Sequence, residues 1–163
     1  MEKKRQILHS TIAAGLFYLV LTVVMTWPLA KGMRSMIVGW VGDNYLYVWM
    51  IGWFETALFQ LHQSPLWVPF LNYPEGYNLA HTDIPFSMIF PGLPFSLFGT
   101  PATGYNASIF LSFILSGLGV YLWVRRLTGN AADGLIAGAA FAFAPYRMSQ
   151  LFGHLNLMET QWF

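Results

Sequence analysis

A single carboxylate, Asp43, stands in the aromatic stretch GWVGDNYLYVWMIGW of residues 39–53. A charged group among so many apolar neighbours is costly unless it is paired, solvated or required for function. One interpretation is a helix N-cap, because the sequence Gly-Asp-Asn precedes an apolar run and Asp is among the preferred caps. The other is a carboxylate held at a surface, where it acts as a general base or binds a divalent cation. The two roles are compatible, and the sequence leaves both open.

A second group of polar side chains lies in PYRMSQLFGHLNLMETQW, residues 145–162. Arg147 either extends toward water from a helix end or clamps a phosphate, since the guanidinium fork matches phosphate oxygens. His154 and Asn156 form a weak pair by spacing, and they are interpreted either as interfacial hydrogen-bonding residues or as substrate ligands. Glu159 follows His154 by five residues, so the two do not share a helical face. The sequence contains no zinc-binding motif.

A third group lies in NYPEGYNLAHTDIP, residues 72–85, whose Pro, Gly and Asn content predicts a loop. Its polar side chains include His81 and Asp83. Asp83 either caps the helix that follows or belongs to a substrate-facing loop, and both interpretations stay open.

The composition decides which class of protein must position these side chains. The chain has 163 residues, of which 56% are hydrophobic and only 9% are charged. A soluble domain usually carries about 25% charged residues. We therefore predict an all-α integral membrane protein. Cysteine is absent, which excludes a disulfide framework. The net charge of +1 and the absence of a basic stripe argue against a nucleic-acid partner.

Three apolar runs are predicted as membrane-spanning helices, at residues 7–29, 106–124 and 131–147. The basic residues at positions 3–5 place the N-terminus in the cytoplasm by the positive-inside rule. The first run has 23 residues and lacks a small-residue cleavage site, so a retained anchor is preferred over a cleaved signal peptide.

The region between the first two runs, residues 30–105, is the ambiguous part. Its apolar stretches 45–61 and 84–98 are alternative spans, although three prolines make the second a poor continuous helix. If neither stretch spans, the arginine pair at 125–126 returns to the cytoplasm, whereas one additional span would place it outside. If both stretches span, the pair also returns to the cytoplasm, but a proline-broken segment must then cross the lipid. We therefore predict that 30–105 is a long external loop with juxtamembrane helices lying in the interface. All the candidate site residues then lie on the external face.

The second and third runs are separated by a short linker, which predicts an antiparallel hairpin. Ser108, Ser112 and Ser116 recur every four residues in one run, and Gly134-x-x-x-Gly138 lies in the other. Small residues at such spacing let helix backbones approach closely in lipid, and we interpret both stripes as packing surfaces.

The three polar stretches, in this order, resemble the N-terminal part of a C-type (GT-C) membrane glycosyltransferase. The resemblance implies a cytoplasmic N-terminus, a long first external loop with a functional acid near its start, a helical hairpin and a second external loop. Asp43 in GDNYLYVW matches the first-loop acid, expected to act as base toward the acceptor. With Glu159 it would hold a divalent metal, Mg²⁺ or Mn²⁺.

Further residues follow from the same resemblance. His81 and Asp83 lie near the position where some members carry Lys-Pro-Pro, but this chain has HTDIP and lacks the lysine. The second loop would begin at Arg147, with Glu159 as its acid and His154 as a partner. The implied reaction transfers a sugar from a polyprenyl-phosphate donor to an acceptor at the external face of the plasma membrane, with membrane lipid surrounding the protein.

Two alternatives remain open from the sequence. In a non-catalytic membrane scaffold, Asp43 and Asp83 would be helix caps only. A transporter component would carry charges in the middle of its spans, and the three predicted spans contain none there. The chain ends in an amphipathic segment, so we expect a fragment of a larger polytopic protein.

Overall fold

The computed structural model describes residues 2–158, with side chains from residue 5 onward. This part of the chain is mostly helical. The α-helices in chain order are α1 (Glu2–Met25), α2 (Asp43–Glu55), α3 (Phe86–Leu97), α4 (Pro101–Thr128), α5 (Ala131–Ala142), α6 (Pro145–Gln150) and α7 (Leu155–Met158). Short 3-10 turns lie at Leu29–Lys31 and Leu79–His81, and α2 continues into a π-helical turn at Thr56–Gln60. Strands β1 (Trp67–Val68) and β2 (Tyr77–Asn78) pair antiparallel in the loop between α2 and α3.

Two helices are long and apolar enough to cross a membrane. Within Arg5–Met25 of α1 the mean hydropathy of an 18-residue stretch reaches 2.0, and within the 28 residues of α4 it reaches 1.9. The third predicted span is shorter than expected, because α5 has 12 residues, or about 18 Å at 1.5 Å per residue. It ends before Pro145, whose ring disfavours a helical conformation in the preceding residue. Pro145 then opens the separate helix α6.

The α4–α5 hairpin packs through its small residues, as the sequence predicts. A Cβ atom at Gly138 would lie 2.5 Å from the backbone oxygen of Gly117, and one at Gly134 would lie 2.7 Å from that of Tyr121. Tyr18 of α1 also reaches this contact, where its hydroxyl donates to the Leu135 carbonyl over 3.2 Å. The glycine pair is therefore required for the close approach of these helices.

Helix α3 corrects the prediction that residues 84–98 form a poor continuous helix, since it runs unbroken with Pro91 and Pro94 inside it. The physical reason is its packing on α4. Gly92 and Gly104 face each other so closely that a Cβ on either would lie within 2.7 Å of the other's backbone oxygen. Ser108 adds a hydrogen bond of 2.7 Å to the Met88 carbonyl. Burial against α4 thus outweighs the helix penalty of the two prolines.

The segment that leads from α1 to α2 is held against the start of α4. Asn106 donates to the carbonyl oxygens of Met33 at 3.0 Å and Met36 at 2.8 Å. The hydroxyl of Tyr105 donates to the Val38 carbonyl at 3.1 Å. These bonds fix the path of the chain as it enters α2.

Candidate functional site

Asp43 is the first residue of α2, and Gly42 occupies the N-cap position. The interpretation of Asp43 as the cap is therefore wrong in register, since no side-chain capping bond forms there. Its carboxylate is exposed. The position still suits a negative charge, because the unsatisfied N–H groups of a helix start carry partial positive charge.

The neighbouring Asn44 anchors this helix start, and the sequence reasoning missed it. Asn44 is fully buried. Its Nδ2 donates to the carbonyl oxygens of Val38 at 3.0 Å and Phe152 at 3.1 Å. Gly39 has φ of +98°, and a Cβ there would overlap the Asn44 amide. The sequence does offer one signal, which is the asparagine directly after Asp43 in an apolar stretch. An amide side chain that becomes buried must find hydrogen-bond partners.

The segment after α6 docks onto the same place. The backbone N–H of Trp40 donates to the Phe152 carbonyl over 2.8 Å, and the two rings lie 6.5 Å apart. Leu151 and Leu155 on either side of this turn are buried in the main core. The start of the predicted second loop therefore packs directly against the start of α2.

Two of the predicted site residues, Asn156 and Asp83, are joined by a hydrogen bond. Asn156 of α7 donates from Nδ2 to Oδ2 of Asp83 over 2.7 Å. Asp83 does not cap α3, whose N-cap position is Pro85. The Oδ1 of Asn156 is buried and has no hydrogen-bond partner among residues 2–158. The contact joins the loop before α3 to the segment after α6, two parts of the chain separated by 73 residues.

Tyr47 links this contact to Asp43. It lies one helical turn after Asp43 and is 4% exposed. Burial, together with the smaller effects of the Asp43 and Asp83 carboxylates, raises the pKa of Tyr47 to about 12. Both carboxylates therefore act on one phenol, which stays neutral at physiological pH. The sequence reasoning missed Tyr47, although its spacing of four residues from Asp43 places the two on one helical face. We call Asp43, Tyr47, Asp83 and Asn156 the Asp43 site.

A cavity of about 390 Å³ lies beside Asp83. Its lining includes Thr82, whose hydroxyl donates to the Tyr77 hydroxyl over 3.3 Å. The remaining lining residues are Leu66, Ala80, Ile84 and Phe86. The cavity thus offers an apolar wall and polar groups at one edge, which is a usual arrangement for a small-molecule site.

Comparison of this chain with protein-family models, curated proteins and solved structures finds no match.

One interpretation predicted that Arg147 extends toward water, and this prediction is wrong. Arg147 is 6% exposed and donates from Nη2 to the Ser112 Oγ over 2.7 Å. Its guanidinium carbon lies 5.4 Å from the centroid of Phe113 and 5.9 Å from that of Phe141. Ser112 is therefore more than a packing residue, because it accepts a hydrogen bond from a buried charge that ties α6 to α4.

The other predicted residues are placed less informatively. His81 and His154 are exposed on the surface. Glu159 lies outside the described residues, so its predicted part in metal binding stays a prediction. Within residues 2–158, no three side chains of the His, Cys, Asp and Glu types form a group that could hold a metal ion.

Proposed function

We propose that this chain is a membrane glycosyltransferase module of the GT-C type, which transfers a sugar from a polyprenyl-phosphate donor to an acceptor hydroxyl at the external membrane face. The observation that carries the proposal is the 2.7 Å hydrogen bond from Asn156 to Asp83, formed by a segment that also docks onto the start of α2 through the Phe152 carbonyl. Three segments that are distant in sequence meet there, which is the arrangement expected of a site rather than of two independent helix caps.

The arrangement of charges supports the membrane placement in this proposal. Arg125 near the end of α4 donates from Nη1 to Ser10 near the start of α1. The basic end of α4 and the basic start of α1 therefore share one side, which the positive-inside rule assigns to the cytoplasm. The segment from α1 to α2 is bonded to the opposite end of α4, so the Asp43 site would face outward.

The proposed reaction is a single displacement at the anomeric carbon of the donor sugar. The acceptor oxygen forms the new bond to that carbon as its proton passes to the Asp43 carboxylate. The bond from the anomeric carbon to the phosphate oxygen breaks, and polyprenyl phosphate leaves with the electron pair. The exposed carboxylate of Asp43 is accessible to an acceptor hydroxyl, as a general base must be.

The neighbouring residues would orient the reactants. Tyr47, whose pKa is raised to about 12, keeps its proton and serves as a hydrogen-bond donor. Asn156 holds Asp83 in one orientation through the 2.7 Å bond, so that Asp83 can bind a sugar hydroxyl at the edge of the cavity. The exposed His81 and His154 remain proposed substrate ligands.

The proposed role of Arg147 changes with its position in the structure, whereas that of Glu159 does not. The contact of Arg147 with Ser112 and the two phenylalanine rings favours a role in joining helices over a direct contact with the donor phosphate. Glu159 remains a proposed substrate and metal ligand at the start of the second external loop.

A divalent cation fits the chemistry of this site. Asp83 and the Oδ1 of Asn156 beside it provide oxygen donors, which Mg²⁺ and Mn²⁺ prefer, and Asp43 and Glu159 remain proposed ligands. The buried Asn156 oxygen has no partner among residues 2–158, which is consistent with an acceptor that serves a ligand. When bound, such a cation would neutralise charge on the donor phosphate.

The proposal is tested by replacing Asp43 with Asn, which keeps the shape of the side chain and removes its basicity. We expect sugar transfer to fall by about 100-fold or more, the usual contribution of a general base, while expression and membrane insertion stay unchanged. Asp133→Asn is the matched control, because Asp133 is exposed at the start of α5. A fully active Asp43→Asn protein would exclude Asp43 as the base.

A further inference from the structure

A separate cavity of about 510 Å³ lies at the end of the α1–α4 pair that is opposite the Asp43 site. We call it the arginine cavity, after the two cations in its lining, which consists of Ile7, Leu122, Arg125, Arg126 and Gly129. It shares no residue with the Asp43 site, and the sugar-transfer proposal gives it no role.

Arg125 is held in place within this cavity. Its Nη1 donates to the hydroxyl of Ser10 and, over 3.1 Å, to the hydroxyl of Tyr121. The guanidinium carbon also lies 5.7 Å from the centroid of the Tyr121 ring. A guanidinium fixed in this way loses little side-chain entropy when an anion binds to its remaining N–H groups.

The cavity combines charge with an apolar wall. Ile7 and Leu122 are each 45% exposed and lie next to the arginines. Arg126 is exposed, and Gly129 ends α4 with φ of +75° and open space where a side chain would begin. The open glycine position leaves room for a group larger than a single ion.

Favourable interaction with the helix dipole accounts for cations in the last turn of α4, but it requires neither the bonds to Ser10 nor the apolar wall. Free phosphate would use only the arginines. A phospholipid uses both parts, because its phosphate meets the cations while its acyl chain covers Ile7 and Leu122. The carboxylate of Asp133 does not line this cavity, and it accepts a 3.0 Å hydrogen bond from the Asn130 amide.

We propose that the arginine cavity binds the headgroup of an anionic phospholipid in the leaflet opposite the Asp43 site. Basic pockets between membrane helices on the cytoplasmic side are suited to such headgroups. The inference shares the membrane placement of α1 and α4 with the proposed function, but it is independent of any sugar transfer.

The test measures lipid binding to the full chain in detergent micelles by native mass spectrometry, with dioleoyl phosphatidylglycerol as the probe. Dioleoyl phosphatidylcholine and inorganic phosphate are the comparison ligands. We expect phosphatidylglycerol to bind in preference to both. Arg126→Gln should weaken its binding about fivefold, and Arg125→Gln with Arg126→Gln about 30-fold.

Arg34→Gln is the matched control, since Arg34 is an exposed arginine in the segment before α2. It should leave phosphatidylglycerol binding unchanged. If the double variant fails to fold, Arg126→Gln alone decides, because its side chain is exposed. Three results would each overturn the proposal. They are equal binding of the two lipids, equal phosphatidylglycerol binding by Arg126→Gln and the original chain, and displacement of the lipid by inorganic phosphate.

Discussion

Replacing Asn44 with Ala removes the residue that joins the start of α2 to the segment after α6. In the structure, the Asn44 amide donates to the Val38 and Phe152 carbonyls at 3.0 and 3.1 Å. Without the amide, both carbonyls lose this donor, and the segment containing Asn156 should separate more readily from α2. The Asp43 site would then be assembled for a smaller fraction of the time.

The size of the effect follows from three polar groups and the cavity left by the truncated side chain. Both carbonyls keep another donor, the Tyr105 hydroxyl for Val38 and the Trp40 N–H for Phe152, so each lost bond costs about 1 kcal/mol. The buried Oδ1 of Asn44, which has no hydrogen-bond partner among residues 2–158, disappears at the same time and returns about 2 kcal/mol. The cavity left by truncating this fully buried side chain costs about 1 kcal/mol. The net loss is about 1 kcal/mol, equivalent to a change of about fivefold in the docking equilibrium.

Cysteine alkylation measures this equilibrium cleanly, because the chain contains no cysteine. Leu155 is fully buried in the docked segment, so Leu155→Cys reacts with a maleimide only when the segment opens. In this background, Asn44→Ala should increase the labelling rate about fivefold if closing is faster than labelling. Asn78→Ala is the control, since Asn78 bonds only the local Ala80 N–H at 2.9 Å.

An unchanged labelling rate in Asn44→Ala would refute the anchoring role of Asn44. An equal increase in Asn78→Ala would show that the effect is general loss of stability. Immediate labelling of Leu155→Cys without the Asn44 change would contradict the docking of this segment.

Two further predictions concern the helix hairpin and the buried phenol. Gly138→Ala should destabilise the protein by about 1–3 kcal/mol, because its Cβ would lie 2.5 Å from the Gly117 oxygen. Gly119→Ala is the control, since a Cβ added there has no atom within 4 Å. Thermal unfolding in detergent compares the two variants, and equal midpoints would refute the close packing. The pKa of Tyr47 is raised from 10.0 to about 12, so the folded state binds more protons than the unfolded state between these values. Tyr47 therefore makes the free energy of unfolding fall as pH rises from 10 to 12. Tyr47→Phe should reduce this pH dependence, measured by denaturant unfolding at a series of pH values. An identical pH dependence in Tyr47→Phe would exclude the raised pKa of Tyr47.

Much of the fold could be predicted from the sequence, because apolar length and small-residue spacing are local signals. The glycine pair at 134 and 138 identified the hairpin contact, and the apolar run after residue 7 matches α1. The misleading local signal was proline in residues 84–98. Its penalty is outweighed by the contact of Gly92 with Gly104, which is visible only once α3 and α4 are packed together.

The candidate site was predictable only in part. Asp43, Asp83 and Asn156 were candidates because polar side chains are conspicuous in so apolar a chain. That Asn156 bonds Asp83 could not be predicted, since the partners are separated by 73 residues. Asn44 and Tyr47 were missed because each looks like an ordinary residue of a helix start, and their roles depend on burial against other segments.

Sugar transfer by this chain is tested most directly by reconstituting it in liposomes with a panel of radiolabelled polyprenyl-phosphate hexoses and following release of polyprenyl phosphate. The proposed displacement predicts release in equal amounts with a glycosylated acceptor, for one donor in preference to the others. Failure to release polyprenyl phosphate from any donor, with the protein correctly inserted, would contradict it.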